Sequence, residues 1–205
     1  MNNYKLYGRS DTGSDVVEYL FREFNVEYEF IHVDENQAKQ DRKILKDNPL
    51  GRVPMIELPD GSFLIESLAI VYHLTETFDG LMPKKNDPLR IKYHQFMSFL
   101  ATSVYTTYHR LYHGDQYVSA NNEKELSDNA SKDLKTMYHF IEKNLNPFIC
   151  EQELTAVDFY LFMLTGWHKD LNNLVEKNQN ISKFLELMKA RPSVAAIRKL
   201  QKERG

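Results

Sequence analysis

Two short polar segments hold the residue types that could bind or activate a small polar ligand. Glu66-Ser67 precedes an apolar run at helical spacing, and residues 10–14 (Ser-Asp-Thr-Gly-Ser) separate a predicted strand from a predicted helix. Free amides and the dipole at a helix start attract a carboxylate, and a glutamate side chain accepts hydrogen bonds from an ammonium group. Both segments lie where a helix is predicted to begin.

The stretch before Glu66 predicts two short strands joined by a tight turn. Asn48 to Gly51 has the residues of a turn, Asp60-Gly61 is a two-residue hairpin signal, and apolar strands flank it at 55–58 and 63–65. Val53-Pro54 is unusual because the proline removes an amide from the start of a paired strand. A cis peptide bond and a trans proline in a loop both fit the residues alone.

The composition excludes several classes of protein. Of 205 residues, 42% are hydrophobic and 27% charged, which is typical of a soluble globular protein. The single cysteine, Cys150, excludes an internal disulfide framework and a cysteine zinc site and suits a reducing cytoplasm. Residues 1–12 contain no apolar run of signal-peptide length, and no apolar stretch approaches the length of a membrane span. A net charge of −3 argues against nucleic-acid binding. His109 and His113 lack a third ligand, so no metal is expected.

Charge and turn residues predict two domains. Residues 1–82 carry 8 Lys and Arg against 15 Asp and Glu, net −7, and residues 83–205 carry 18 against 14, net +4. Glycine, prolines and charges between Thr77 and Pro88 indicate a linker. We therefore expect one domain over residues 1–82 and a second over residues 88–205.

The predicted elements form an α/β half followed by a helical half. The first half reads β-α-β-α-β-β-α, which is the thioredoxin-like pattern, but no Cys-x-x-Cys follows its first strand, so a dithiol oxidoreductase is excluded. Ser14-Asp15 is predicted to cap the first helix, and Thr155 with Asp158 resembles a capping box for a helix that is apolar all round. The predicted strands span residues 4–7, 26–33, 55–58 and 63–65. Two helices are predicted to begin at residues 14 and 67. The other predicted helices span residues 39–46, 88–113, 124–145, 159–167 and 181–189, and a last helix follows Pro192.

These motifs resemble the cytosolic glutathione transferases over nearly the whole chain. Asn-Pro-x-Gly-x-Val-Pro at 48–54, the Asp-Gly hairpin and Glu-Ser-x-Ala-Ile at 66–70 are similar to the glutathione-binding half of that family. Residues 148–158 and 184–194 resemble its C-terminal elements, and 98–103 with the aromatics that follow resemble the bacterial beta class. The resemblance implies an α/β thioredoxin-like N-terminal domain followed by an all-α C-terminal domain, the glutathione transferase fold.

The resemblance also implies which residues bind glutathione. The bond before Pro54 would be cis, the backbone of Val53 would pair with the cysteinyl part, and Glu66 with Ser67 would hold the γ-glutamyl end. Arg52 could reach the glycyl carboxylate, although a solvated charge fits this position equally well.

A second substrate would meet the long helix of the C-terminal domain. Its candidate contacts are aromatic and imidazole side chains, and the alternative is that about half of them belong to the core between the domains. These candidates are Tyr105, Tyr108, His109 and Tyr112.

The residue that activates the thiol departs from the family pattern. The family lowers the thiol pKa with a hydroxyl or a cysteine just after the first strand, because the thiolate is the nucleophile. In an ungapped alignment the beta-class cysteine falls on Gly13, and the serine of other classes falls on Asp11 or Thr12. The order of preference for the donor is Thr12, then Ser10, then Ser14, and Ser14 serves equally well as a helix cap.

The resemblance implies a cytoplasmic, homodimeric glutathione transferase that conjugates or reduces small hydrophobic electrophiles in detoxification. Its partners would be glutathione and the electrophile, with no metal, nucleic acid or membrane. Two alternatives stay open because the activating residue departs from the pattern. One is a non-enzymatic binding or regulatory module, and the other is a glutathione-dependent peroxidase or disulfide reductase.

Overall fold

A computed structural model describes residues 3–34 and 39–204, apart from the side chains of residues 42 and 43. The chain forms two compact units. The first consists of Met1–Gly80 together with Lys189–Gly205, and the second of Leu81–Met188. The division of the chain into domains over residues 1–82 and 88–205 stays a prediction. The two compact units differ from this division because Lys189–Gly205 belongs to the first unit.

The secondary structure follows the predicted order closely. The strands are β1 (Tyr4–Gly8), β2 (Tyr28–His32), β3 (Met55–Glu57) and β4 (Phe63–Ile65). The helices are α1 (Ser14–Glu23), α2 (Arg42–Asp47), α3 (Ser67–Thr77), α4 (Leu89–Phe99), α5 (Tyr105–Tyr112), α6 (Glu123–Asn144), α7 (Ala156–Gly166), α8 (Leu171–Lys177), α9 (Gln179–Ala190) and α10 (Pro192–Arg204).

The four strands of the first unit form one mixed sheet in the order β2-β1-β3-β4. β1 runs parallel to β2 and antiparallel to β3, and β3 pairs antiparallel with β4. Leu6 and Ile56 lie opposite each other in the register and are fully buried; β1 alternates between buried and partly exposed residues, whereas Met55 and Ile56 of β3 are both buried. The thioredoxin-like prediction for the N-terminal half is therefore confirmed.

Helix α10 packs against α1 within the first unit. Glu18 on α1 is fully buried, and its carboxylate accepts hydrogen bonds from Arg204 at 2.7 Å and from the Tyr28 hydroxyl at 2.6 Å. At the other end, Arg191 forms a two-pronged ion pair with Glu23. These charged contacts explain why the last helix is part of the first unit, since a buried carboxylate needs partners.

The second unit is entirely helical in its regular elements. The predicted long helix extends from α4 to α5, with a single stretch of π-helix at Leu100–Val104 between them. Every residue from Ala156 to Thr165 in α7 is buried, which confirms the prediction of a core helix. Helix α8 was not predicted, because Leu171–Lys177 has one buried residue, Leu174, and little apolar periodicity.

The start of α7 is held by a buried carboxylate. Asp158 accepts hydrogen bonds from the backbone N–H of Thr155 at 2.8 Å and of Ile149 at 2.9 Å, and the predicted capping box is present. Burial raises the pKa of Asp158 to about 6 despite these donors. At α1 the expectation fails: Gly13 precedes the helix, and Ser14 is its first residue rather than its cap.

Within the described residues, no helix is both long enough and apolar enough to cross a membrane.

Replacing Asp158 with alanine should reduce the free energy of unfolding by about 3 kcal/mol, because buried N–H groups lose their acceptor. Asp170→Ala is the matched control. Its carboxylate accepts from Asn173 N–H at the exposed start of α8, and its loss should cost about 1 kcal/mol or less. Urea unfolding compares the two variants, and equal losses would contradict the structural role of Asp158.

Candidate functional site

The strand register brings three separate chain segments to one edge of the sheet. Met55, the first residue of β3, is paired with Tyr7 near the end of β1 and with Ile65 at the end of β4. The segments next to these residues therefore meet at the same edge: the loop after β1, the Val53-Pro54 bond and the start of α3. These are the segments that the sequence singled out.

In the loop before β3, the backbone of Val53 has no hydrogen-bond partner among the described residues. The peptide bond between Val53 and Pro54 is cis, as the family resemblance implied. Asn48 is buried, and its side-chain amide donates to the backbone carbonyl of Arg52. The backbone carbonyl of Asn48 accepts the N–H of Gly51 at 2.9 Å. Among the described residues, neither the N–H nor the C=O of Val53 makes a hydrogen bond. Val53 is only partly exposed, so a ligand that supplies both partners would satisfy this backbone.

Glu66 and Ser67 lie where β4 passes into α3. Glu66 precedes the helix with φ 71° and ψ 112°, and its side chain is exposed. The Glu66 carboxylate forms no ion pair with any described residue, whereas Ser67 is buried at the first helical position. A non-glycine residue held at positive φ is a candidate for a functional constraint. The exposed side chain of Arg52 lies in the neighbouring loop.

The loop after β1 uses two of the three candidate hydroxyls to maintain its own structure. Thr12 donates to the carbonyl of Arg9 at 2.7 Å, and Ser14 accepts the N–H of Arg9 at 3.3 Å. The two hydroxyls lie 3.0 Å apart, and because the single proton of Thr12 goes to Arg9, Ser14 is the donor between them. Ser14 is fully buried and packs closely on Gly8, where an added Cβ would lie 2.6 Å from the Ser14 oxygen.

Ser10 is the remaining hydroxyl in this loop. It is partly exposed and makes no hydrogen bond with any described residue. Asp11 is exposed with φ 58°, and a carboxylate here would repel an anion. The hydrogen bonds thus distinguish Ser10, whose proton is available, from Thr12 and Ser14.

Sequence reasoning missed the role of Asp15. Its carboxyl group lies close enough to the backbone N–H groups of Asp11 and Thr12 for both to favour the ionised form, and it accepts a hydrogen bond from the Gln201 side chain of α10 at 2.9 Å. Burial and the nearby carboxylates of Asp11 and Glu18 raise the pKa of Asp15 to about 8. The spacing Thr12-x-x-Asp15 is that of a capping box, and this signal could have identified the contact.

The predicted contacts of the second substrate occupy different environments within the second unit. Tyr108 is buried, and its hydroxyl donates to that of Tyr138 at 2.9 Å. The His109 ring is 2.9 Å from the Tyr117 hydroxyl, and Tyr112 is 45% exposed. Tyr105 packs edge-on against Trp167. Tyr105, His109 and Tyr112 thus have surface that a ligand could contact, whereas Tyr108 belongs to the core.

Cys150 does not resemble a reactive thiol. It is fully buried, and burial raises its pKa to about 11, which suppresses the thiolate. Across residues 3–34 and 39–204, no group of three or more His, Cys, Asp or Glu side chains is arranged to hold a metal ion.

Two family models match the chain. The model described as "Glutathione S-transferase, N-terminal domain" matches residues 3–76, and that described as "Glutathione S-transferase, C-terminal domain" matches residues 104–199. Among curated relatives, glutathione S-transferase GstA of Escherichia coli O157:H7 is 26% identical over 151 residues, which are 72% of this chain and 72% of GstA.

Solved structures show the same fold over almost the full length. A glutathione transferase homologue from Sulfitobacter, with bound glutathione, has a TM-score of 0.87 at 24% identity and covers 97% of this chain and 98% of that chain. The bacterial beta-class glutathione S-transferase of Sphingomonas chungbukensis has a TM-score of 0.82 at 23% identity and covers 96% and 98%. Both confirm the predicted two-part fold.

The buried Asp15 predicts that stability falls as the pH rises through neutrality. The pKa of this group is raised from 3.8 to about 8 in the folded protein, so between these values the folded state holds a proton that the unfolded state has lost. The free energy of unfolding should fall by up to about 1.4 kcal/mol per pH unit, until the pH passes the folded pKa.

Urea unfolding between about pH 6.5 and about pH 8 isolates this contribution, because Asp158, with a pKa of about 6, is mostly ionised there in both states. Asp15→Asn keeps the shape but does not titrate, so its stability should change much less over this range. An equal pH slope in parent and variant would show that Asp15 is not the titrating group.

Proposed function

The chain belongs to the glutathione S-transferase family, and we propose that it binds glutathione and uses its thiol to conjugate or reduce small hydrophobic electrophiles. In this proposal the sheet edge next to Met55 holds the tripeptide. Val53 pairs with its cysteinyl backbone, Glu66 and Ser67 bind its γ-glutamyl end, and Arg52 reaches its glycyl carboxylate.

The unpaired backbone of Val53 is the observation that carries the proposal. An N–H and a C=O without partners among the described residues, at a partly buried position, match an extended peptide backbone, which offers one of each. Glu66 supports the same ligand because its exposed carboxylate forms no ion pair with a described residue and can accept an ammonium group. The helix start beside it favours the neighbouring carboxylate of an amino-acid end.

We propose that Ser10 rather than Thr12 donates to the glutathione sulfur. A donor must offer a proton, and the proton of Thr12 is given to the Arg9 carbonyl at 2.7 Å. Ser10 lies in the same loop, two residues earlier, and its hydroxyl bonds no described residue. Ser14 stabilises the structure of the loop, since it is fully buried and packs against Gly8.

A non-enzymatic glutathione-binding module is the second candidate, and the loop hydrogen bonds favour it. Two of the three hydroxyls that could activate a thiol, those of Thr12 and Ser14, are engaged in hydrogen bonds within the loop, and Cys150 is buried. This candidate keeps the binding contacts but lacks turnover, so binding and activation need separate tests. A peroxidase or disulfide reductase would use the same bound thiol, but a second glutathione would be consumed, because the two-electron reduction ends in glutathione disulfide.

Glutathione binding should depend on Glu66. Glu66→Ala should raise the dissociation constant about tenfold or more, because one charge-assisted contact contributes roughly 1.5–3 kcal/mol. Glu76→Ala, an exposed glutamate near the end of α3, is the matched control and should bind as the parent does. Calorimetry measures all three, and a parent that fails to bind glutathione at millimolar concentration would refute the site.

Thiol activation should depend on Ser10. In Ser10→Ala the pKa of bound glutathione should rise by about one unit, and turnover at neutral pH should fall about tenfold. Ser14→Ala and Thr12→Val should mainly reduce stability, because both remove hydrogen bonds that hold the loop. The ultraviolet absorbance of the thiolate against pH reports the pKa directly.

If the pKa of bound glutathione rises in Thr12→Val but not in Ser10→Ala, Thr12 rather than Ser10 donates to the sulfur. No thiolate signal at neutral pH in the parent would favour the binding module.

The homodimer implied by the family resemblance is also a proposal. Light scattering at micromolar concentration should give about twice the single-chain mass of 24.1 kDa. A mass equal to one chain would overturn it.

A further inference from the structure

The loop that carries Ser10 closes on one buried residue, Asp15, which is the second residue of α1. The backbone N–H of Asp15 donates to the carbonyl of Thr12 at 3.1 Å. Asp15 is 6% exposed, and its side chain lies close to the backbone N–H groups of Asp11 and Thr12. Asp11 adopts φ 58°, and a non-glycine residue keeps such a backbone only where its surroundings hold it there. Because Ser10 directly precedes Asp11, the backbone that presents its hydroxyl depends on these contacts.

A side chain of the last helix reaches the same carboxyl group. The Gln201 amide of α10 donates to Asp15 Oδ1 at 2.9 Å, and it lies 3.5 Å from a carboxylate oxygen of Glu18. Arg204 holds α10 in this position, because its guanidinium donates to Glu18 at 2.7 Å and lies 3.9 Å from the centroid of the Phe30 ring. The amide of Gln201 therefore connects α10 to the residue on which the loop closes.

The contact between Gln201 and Asp15 holds the loop without adding charge to it. Burial, together with the nearby carboxylates of Asp11 and Glu18, raises the pKa of Asp15 to about 8, so near pH 7 this group is mostly protonated. The side-chain amide of Gln201 carries no charge. A negative charge beside the loop would oppose a thiolate, and a cation in place of Gln201 would favour the ionised form of Asp15. An uncharged donor is thus the residue type that suits a thiol-activating loop.

We propose that Gln201 is a positioning residue for thiol activation, because it holds Asp15 in the place from which that residue shapes the loop bearing Ser10. The inference rests on the proposed function, and it adds to that function a contribution from the last helix of the chain. Gln201 would contact neither glutathione nor its sulfur and would act only through Asp15. A role limited to the packing of α10 would stabilise the fold but leave the pKa of bound glutathione unchanged.

The first test measures the pKa of glutathione bound to the full chain from the ultraviolet absorbance of the thiolate. Gln201→Met keeps the length of the side chain and removes its donor. The pKa of bound glutathione should therefore rise by about 0.5, and turnover at neutral pH should fall about threefold. Gln201→Asn, whose amide lies one methylene closer to the backbone, should raise this pKa as well.

Lys202→Met is the matched control, because it changes the exposed neighbour of Gln201 on α10, and it should behave as the parent does. The dissociation constant of glutathione should stay within about twofold of the parent value in all these variants, since none of them alters Val53 or Glu66.

Ser10→Ala tests whether Gln201 acts through the loop. If it does, adding Gln201→Met to Ser10→Ala should raise the pKa of bound glutathione by no more than about 0.1, because the donor that Gln201 positions is already lost. A second measurement needs no glutathione. Amide hydrogen exchange at Asp11 and Thr12 should be faster in Gln201→Met than in Lys202→Met.

A pKa of bound glutathione that rises in Ser10→Ala but not in Gln201→Met would overturn this inference and leave the proposed function standing. Equal exchange in Gln201→Met and Lys202→Met, or a full additional rise of the pKa in the double variant, would also overturn it. A parent chain that binds no glutathione, or that shows no thiolate at neutral pH, would overturn both this inference and the proposed thiol activation.

Discussion

The pairing of Met55 with two neighbours at once is the constraint on which the candidate site depends. Because β3 is antiparallel to both β1 and β4, its first residue lies beside the end of each. Any shift of this register by one residue would turn the buried Ile56 toward the opposite face of the sheet. The hydrophobic core therefore fixes the place where three polar segments meet, and the site's geometry follows from packing.

Buried carboxyl groups are the second feature that organises the chain. Asp15 ties the loop after β1 to α10, Glu18 holds Arg204 and Tyr28, and Asp158 anchors the start of α7. Each is almost fully buried and has several donors, which offsets the cost of removing a carboxyl group from water. In the first unit these contacts link the last helix of the chain to the loop that bears the candidate thiol donors.

The proposed chemistry separates into a binding step and an activation step. In the proposal, binding rests on the backbone of Val53 and the carboxylate of Glu66, neither of which has a partner among residues 3–34 and 39–204. Activation rests on Ser10, because the loop uses the hydroxyls of Thr12 and Ser14 for its own structure. The family fold is thus compatible with turnover and with binding alone, and the difference between them depends on a single hydroxyl proton.

The sequence alone determined the family and the fold and predicted the segments proposed to bind glutathione, because hairpin, helix-start and proline signals are local and keep a fixed spacing between residues 48 and 70. Only the tertiary structure decided which hydroxyl proton is available, since the contact of Thr12 with Arg9 depends on how the loop closes. It also decided that α10 packs with α1 and that Tyr108 is core, because Glu18 and Tyr138 find partners far away in sequence. Burial and long-range hydrogen bonds are properties of packing, and residue spacing does not encode them.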